Sequence, residues 1–233
     1  MTKELETAIQ NLYNTFSIYP CNSIMESCPC CVSDADKEKI HSKQLRDLDE
    51  DDLSRYAFKA MTTWGDINDF KHYLPRIFEI LATNDVIINI SVVLRKLEYG
   101  EWQEWSEEEK RAITNFIWAW WTNATKNKSY FDIQAFTEIY QLTGDIEHLL
   151  KRWTISMEDN SFANFVDLMY RYYKDLTGKR TQFREMDDVS IEKLIKWIDD
   201  NSKLLESGFF HFVDKDSELA ETISTTLFIY EHT

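Results

Sequence analysis

A chain of 233 residues, 43% hydrophobic and 14% aromatic, has the apolar surface to bury a core without covalent staples, which excludes an intrinsically disordered protein. Forty-one acidic against 26 basic side chains leave a formal charge of −15, a field that repels nucleic acid and anionic lipid where no basic patch overrides it, and no such patch is visible. No apolar run approaches the ~20 residues of a membrane span, and the first residues lack the basic start and apolar stretch of a secretory leader, so a cytoplasmic location without a membrane partner is expected.

The elements in chain order are nearly all helical. MTKELETAIQNLYNTF alternates charge and apolar residues at helical spacing. The segment that follows, at about residues 20–34, reads as a loop shaped by Pro20 and Pro29, and it holds every cysteine of the chain: Cys21, Cys28, Cys30 and Cys31. In GDINDFKHYLPRIFEIL, Ile67, Phe70, Leu74, Ile77, Phe78 and Leu81 share one face and Asp66 is placed to cap the helix. Pro75 lies inside this pattern and, lacking an N–H, predicts a kink. DVIINISVVL, from Asp85, is rich in β-branched residues but has no second strand to pair with, so it too reads as helix.

SEEEKRAITNFIWAWW carries a capping-box pair, Ser106 and Glu109, and an apolar stripe of Ile113, Phe116, Ile117, Trp120 and Trp121. Trp118 lies off that stripe, which predicts a helix buried on more than one side. Trp102 and Trp105, just upstream, read as packing of a connecting loop. Helical stripes recur at Phe162 to Leu176, Ile191 to Ile198 and Leu219 to Tyr230.

The five glycines, at positions 65, 100, 144, 178 and 208, follow the ends of apolar patterns at intervals of 35, 44, 34 and 30 residues, where left-handed C-caps are expected. Two of the turns are alike, WGDINDF from Trp64 and TGDIEHL from Thr143. The spacing of one helix pair per glycine predicts a single all-α domain over 1–233, an irregular HEAT-like α-solenoid of stacked helical hairpins, with a compact all-α bundle as the alternative.

Two segments carry candidate chemistry. In CNSIMESCPCC, Cys28 and Cys31 form a CxxC pair, and a zinc ion held between them would be completed by Cys21 and His41, or by Cys30. The same pair suits a reversible dithiol, and small buried thiols packing a loop are the third reading. In and just beyond TTWGDINDFKHYLPR, Asp69, His72, Arg76 and Glu79 follow one another at spacings of three, four and three, so an acid, an imidazole and a guanidinium share a face beside the Pro75 kink. That face suits acid–base work or an anionic group, or is an ordinary solvated surface. His148 and His211 stand alone. No glycine-rich phosphate loop, HExxH, GxSxG or kinase pattern occurs.

CPCCV at Cys28 to Val32 and LSRYAFKAMTTWGDINDFKHYLPR at Leu53 to Arg76 together resemble a family of bacterial proteins that pair a CxxCV segment with a TWGxxxDFxHxLPR segment. The family has no assigned activity, so the resemblance implies only that Cys28, Cys31, Trp64, Gly65, Asp69, His72, Pro75 and Arg76 belong to a recurring pattern. Two functions are weighed. The first is an interaction protein whose helical groove, around Trp64, Asp69, His72 and Arg76, receives another protein, with a zinc-bound cysteine loop capping its first repeat. The second is a thiol-dependent enzyme or redox sensor in which Cys28 and Cys31 work with His72.

Overall fold

The computed structural model describes residues 1–83 and 89–233. Among them are twelve α-helices, two short 3-10 turns and no strand beyond isolated bridges, so the chain is all-α. The first residues of the β-branched run lie outside the described part; the rest, Ile90–Tyr99, is helix as expected. Where a single domain over 1–233 is expected, the chain divides into two compact units, residues 1–120 and 121–233.

The first unit holds α1 (Lys3–Phe16), α2 (Asp34–His41), α3 (Glu50–Lys59), α4 (Ile67–Thr83), α5 (Ile90–Tyr99) and most of α6 (Glu107–Asn127). Leu5, Ala8, Ile9, Leu12, Tyr13 and Phe16 form the buried stripe of α1, which packs on α4, and α3 packs on α2, α4 and α5. The central element is α4. Its apolar stripe is buried, and so are Asp69, Lys71, Tyr73, Pro75 and Ile80, so the helix is covered on nearly every side, and Pro75 is accommodated within it. Each fully buried large side chain here, such as Leu74 or Ile77, contributes ~1.5–3 kcal/mol. Phe78 stacks on Phe116 of α6 at 4.6 Å between ring centroids.

The second unit holds α7 (Ile133–Thr143), α8 (Ile146–Arg152), α9 (Ser161–Thr177), α10 (Asp188–Asn201), α11 (Lys203–Phe212) and α12 (Ser217–Glu231). Its core is aromatic: Trp153 stacks on Phe131 at 5.3 Å and meets Trp121 edge-on at 5.7 Å. α12 packs on both α11 and α9.

The local start signals are realised. Asp66 Oδ1 accepts the amides of Asn68 and Asp69, and the Ser106 amide donates to Glu109 while the Glu109 amide donates to Ser106. Trp118 is buried, as its off-stripe position requires. Of the glycines, Gly65 and Gly144 adopt left-handed φ of 69° and 64°, so the two Gly-Asp-Ile turns are built alike, each with the Asp capping the helix that follows. Gly208 departs from expectation. It lies inside α11, where an added Cβ would stand 2.0 Å from the Phe162 ring, so its glycine serves close packing and ends no helix. Gly100 and Gly178 cap α5 and α9 at negative φ.

Candidate functional site

The cysteine loop is fastened to the turn before α4. Ser27 and Trp64 form an antiparallel bridge, the Cys28 N–H donates to the Thr63 carbonyl at 2.9 Å, and the Gly65 N–H donates to the Glu26 carbonyl at 2.8 Å. Two segments that the sequence singles out separately, CPCCV and TTWG, are therefore hydrogen-bonded to each other. Buried Met25 and Val32 anchor the loop at either end. Within it, the amides of Cys31 and Val32 both donate to the Cys28 carbonyl at 3.0 Å, which folds the chain back on itself. Ser33 then opens α2 with a capping box to Asp36, and Arg55 of α3 binds Asp36 at 2.9 Å and the Cys31 carbonyl at 3.2 Å.

That fold brings three thiols together. The Cys28 sulfur lies 3.0 Å from Cys30 and the Cys30 sulfur 3.8 Å from Cys31, and all three sulfurs fall within 4.8 Å of one another. All are free thiols at least partly open to solvent. Zinc–sulfur bonds of about 2.3 Å at tetrahedral angles separate sulfurs by about 3.8 Å, so Cys30 and Cys31 stand at ligand spacing and the Cys28–Cys30 pair is closer than that spacing by roughly 0.8 Å. Hydrogen bonds donated by the Cys30 and then the Cys31 thiol lower the Cys28 pKa to about 7, and the same bond to Cys28 raises Cys30 to about 11. Of these two, Cys28 is thus the thiol more readily ionised, the form in which cysteine binds metals or attacks electrophiles.

The expected ligand set of Cys21, Cys28, Cys31 and His41 does not form one group. Cys21 is paired elsewhere: its sulfur lies 3.6 Å from His41 Nδ1 and 3.7 Å from the Tyr73 hydroxyl, which is itself 3.4 Å from His41 Nδ1. Burial, with His72 nearby, lowers the His41 pKa against the opposing pull of Asp69, while burial and the contact with Cys21 hold the Tyr73 phenol up.

The face of α4 expected to be open is instead occupied in holding backbone. Asp69 is buried and accepts the Asp66 amide at 2.9 Å; the His72 Nδ1–H donates to the Tyr19 carbonyl at 2.9 Å; Arg76 donates from Nε to the Leu48 carbonyl at 2.6 Å. Glu79 accepts from Arg76 at 2.7 Å and from the Tyr13 hydroxyl at 2.6 Å. These contacts clasp the segments before α2 and α3 onto α4. Trp64 is buried, its indole N–H and the hydroxyl of Tyr56 have no partner among the described residues, and the two rings meet edge-on at 5.3 Å. His72 and Pro75 do line a depression, of about 340 Å³, together with Tyr13, Tyr19, Gln44 and Arg46.

Sequence reasoning misses three features. Lys71 and Glu109 form a buried ion pair at 2.8 Å, with the Tyr19 hydroxyl donating to Glu109 at 2.6 Å and the Lys71 ammonium 4.2 Å above the Trp105 ring. Lys96, also buried, donates to the Ala60 carbonyl at 2.6 Å beneath the TTWG turn. Tyr73, read as part of no stripe, joins Cys21 and His41. Compared with family models, curated proteins and solved structures, the chain matches none.

Proposed function

We propose that the protein is a cytosolic α-helical scaffold that binds another protein, and that its first unit carries a structural zinc site made by Cys28, Cys30 and Cys31. The observation that carries this reading is the convergence of three partly exposed thiols on a loop already tied to the Thr63 to Gly65 turn. An ion bound there cross-links a segment that has few apolar anchors of its own, and metal-binding energy of this kind is folding energy. Membership of the bacterial family that pairs CxxCV with TWGxxxDFxHxLPR belongs to the proposal, and the hydrogen bonds between the two segments support it. So does HEAT-like stacking of hairpins within each unit, for which the two matching Gly-Asp-Ile turns speak; the packing of α1 on α4 and of α9 on α12 speaks for the alternative bundle.

For a protein partner, the support is surface chemistry. Phe58 is 65% exposed beside a depression of about 610 Å³ bordered by Trp64 and Val92 and by charges of both signs, Asp36, Asp51 and Asp52 with Lys39, Arg55 and Lys59. With a chain charge of −15, the partner favoured is basic. Metal content of protein purified without a histidine tag, read by native mass spectrometry, tests the zinc site: Cys28→Ser and Cys31→Ser should each abolish one equivalent. Retention of that equivalent in both variants would refute the assignment.

A second reading, a thiol redox sensor, is favoured by one observation, the Cys28 thiol at about 7 lying 3.0 Å from the Cys30 sulfur. It uses Cys28 and Cys30 rather than Cys28 and Cys31 with His72, whose Nδ1 is taken by the Tyr19 carbonyl. Metal-free protein that forms a Cys28–Cys30 disulfide under mild oxidation would favour it.

A further inference from the structure

We propose that Cys21, His41 and Tyr73 form a second metal site, separate from the three-cysteine cluster, which holds a zinc-like divalent cation on three ligands and leaves a fourth position open. The residues come from three places in the first unit: the loop after α1, the last residue of α2 and the middle of α4. Sulfur to nitrogen is 3.6 Å, sulfur to phenol oxygen 3.7 Å and oxygen to nitrogen 3.4 Å. Bonds of about 2.3 Å to sulfur and about 2.1 Å to nitrogen and oxygen, set at tetrahedral angles, give edges of about 3.6, 3.6 and 3.4 Å. All three separations agree with one ion equidistant in this sense from the three atoms. As a hydrogen bond, by contrast, the phenol–imidazole separation is long against the ordinary range of about 2.5–3.2 Å.

The surroundings suit a cation. Besides its two partners, His41 is faced by His72 and Asp69, and Asp69 is a buried carboxylate. Tyr73 is buried beneath the site and Cys21 is exposed at its rim, so solvent reaches the ion from the Cys21 side. With three protein ligands the remaining position takes water or an anionic ligand, as it would at the three-cysteine cluster.

Cobalt(II) provides the test, because each thiolate ligand adds charge-transfer absorption. In protein with Cys28→Ser, Cys30→Ser and Cys31→Ser combined, one equivalent of cobalt should still bind with the absorption of a single thiolate. Adding Cys21→Ser should abolish that band, and His41→Gln or Tyr73→Phe should weaken cobalt binding at least tenfold. No cobalt uptake by the folded triple variant, or uptake indifferent to Cys21→Ser, overturns the site. Should the triple variant not fold, cobalt stoichiometry on the otherwise native chain decides: loss of one equivalent with Cys21→Ser supports the site, and an unchanged stoichiometry refutes it. Since the cluster variants and the Cys21 variant are read separately, failure of the zinc cluster leaves this result standing.

Discussion

At Gly208 two effects of a change to alanine oppose each other. Helix propensity favours alanine by ~1 kcal/mol inside α11, but the new methyl would stand 2.0 Å from the Phe162 Cζ, and overpacking of this kind costs ~1–3 kcal/mol or more. Gly208→Ala should therefore lower stability, with Tm falling by several degrees; a rise in Tm would mean that Phe162 does not press on this helix. Glu109 yields a pH prediction. Burial by itself raises its pKa, but hydrogen bonds from Lys71, Tyr19 and the Ser106 amide outweigh burial and hold the carboxyl below its ordinary value. A folded-state pKa below the unfolded one means that this stability is complete above the unfolded value, about 4.3, and drains away as pH falls through the folded value. Glu109→Gln should cost ~3–5 kcal/mol at neutral pH, because Lys71 is left buried without its counter-ion, and should make stability fall less steeply between about pH 5 and pH 3. Urea midpoints of both proteins across that range check it; parallel curves would exclude the pair as the source. Glu109 also shows what was legible at this scale. Its role in the capping box spans three residues and could be read from the sequence, whereas its bond to Lys71 joins two helices and depends on tertiary packing.

Among the elements, the two Gly-Asp-Ile turns form a matched pair. Both glycines have left-handed φ, which costs ~1–2 kcal/mol for any L side chain. A Cβ on Gly144 meets nothing within 4 Å, while one on Gly65 stands 2.7 Å from the Asp69 carboxylate that caps α4. Gly65→Ala should then cost ~1–2 kcal/mol more than Gly144→Ala, through loss of the cap. Equal losses in chemical denaturation would show that the Asp69 cap contributes nothing. The likeness of these turns was legible because capping is local. The glycine at 208 was misread for the opposite reason: nothing near it in sequence announces that Phe162 lies against it. The cysteine loop was partly legible. Its four thiols are close in sequence, but the bridge between Ser27 and Trp64 folds Cys28, Cys30 and Cys31 to one side, and α2 carries His41 to Cys21 and Tyr73. Spacing alone does not state which cysteine keeps company with the histidine. The clasping role of His72 and Arg76 was hidden likewise, since the carbonyls they hold, of Tyr19 and Leu48, are 53 and 28 residues away.

For the molecule as a whole, helix content followed from a chain with only five glycines and three prolines and from apolar residues at spacings of three and four, and the all-α class is what the structure has. The division at residue 120 was not legible, because α6 runs through it without a break in its apolar pattern. The proposed zinc site bears on the first unit alone: chelation should speed exchange of the Cys28 and Gly65 amides, which hold the loop to the TTWG turn, by about tenfold or more, and leave helices of the second unit unchanged. The most direct test of the central claim is X-ray absorption at the zinc edge, on protein carrying Cys21→Ser so that only the three-cysteine cluster contributes. A shell of three sulfurs at about 2.3 Å is expected. Protein that takes up no zinc, or whose zinc is surrounded by nitrogen and oxygen alone, would contradict it.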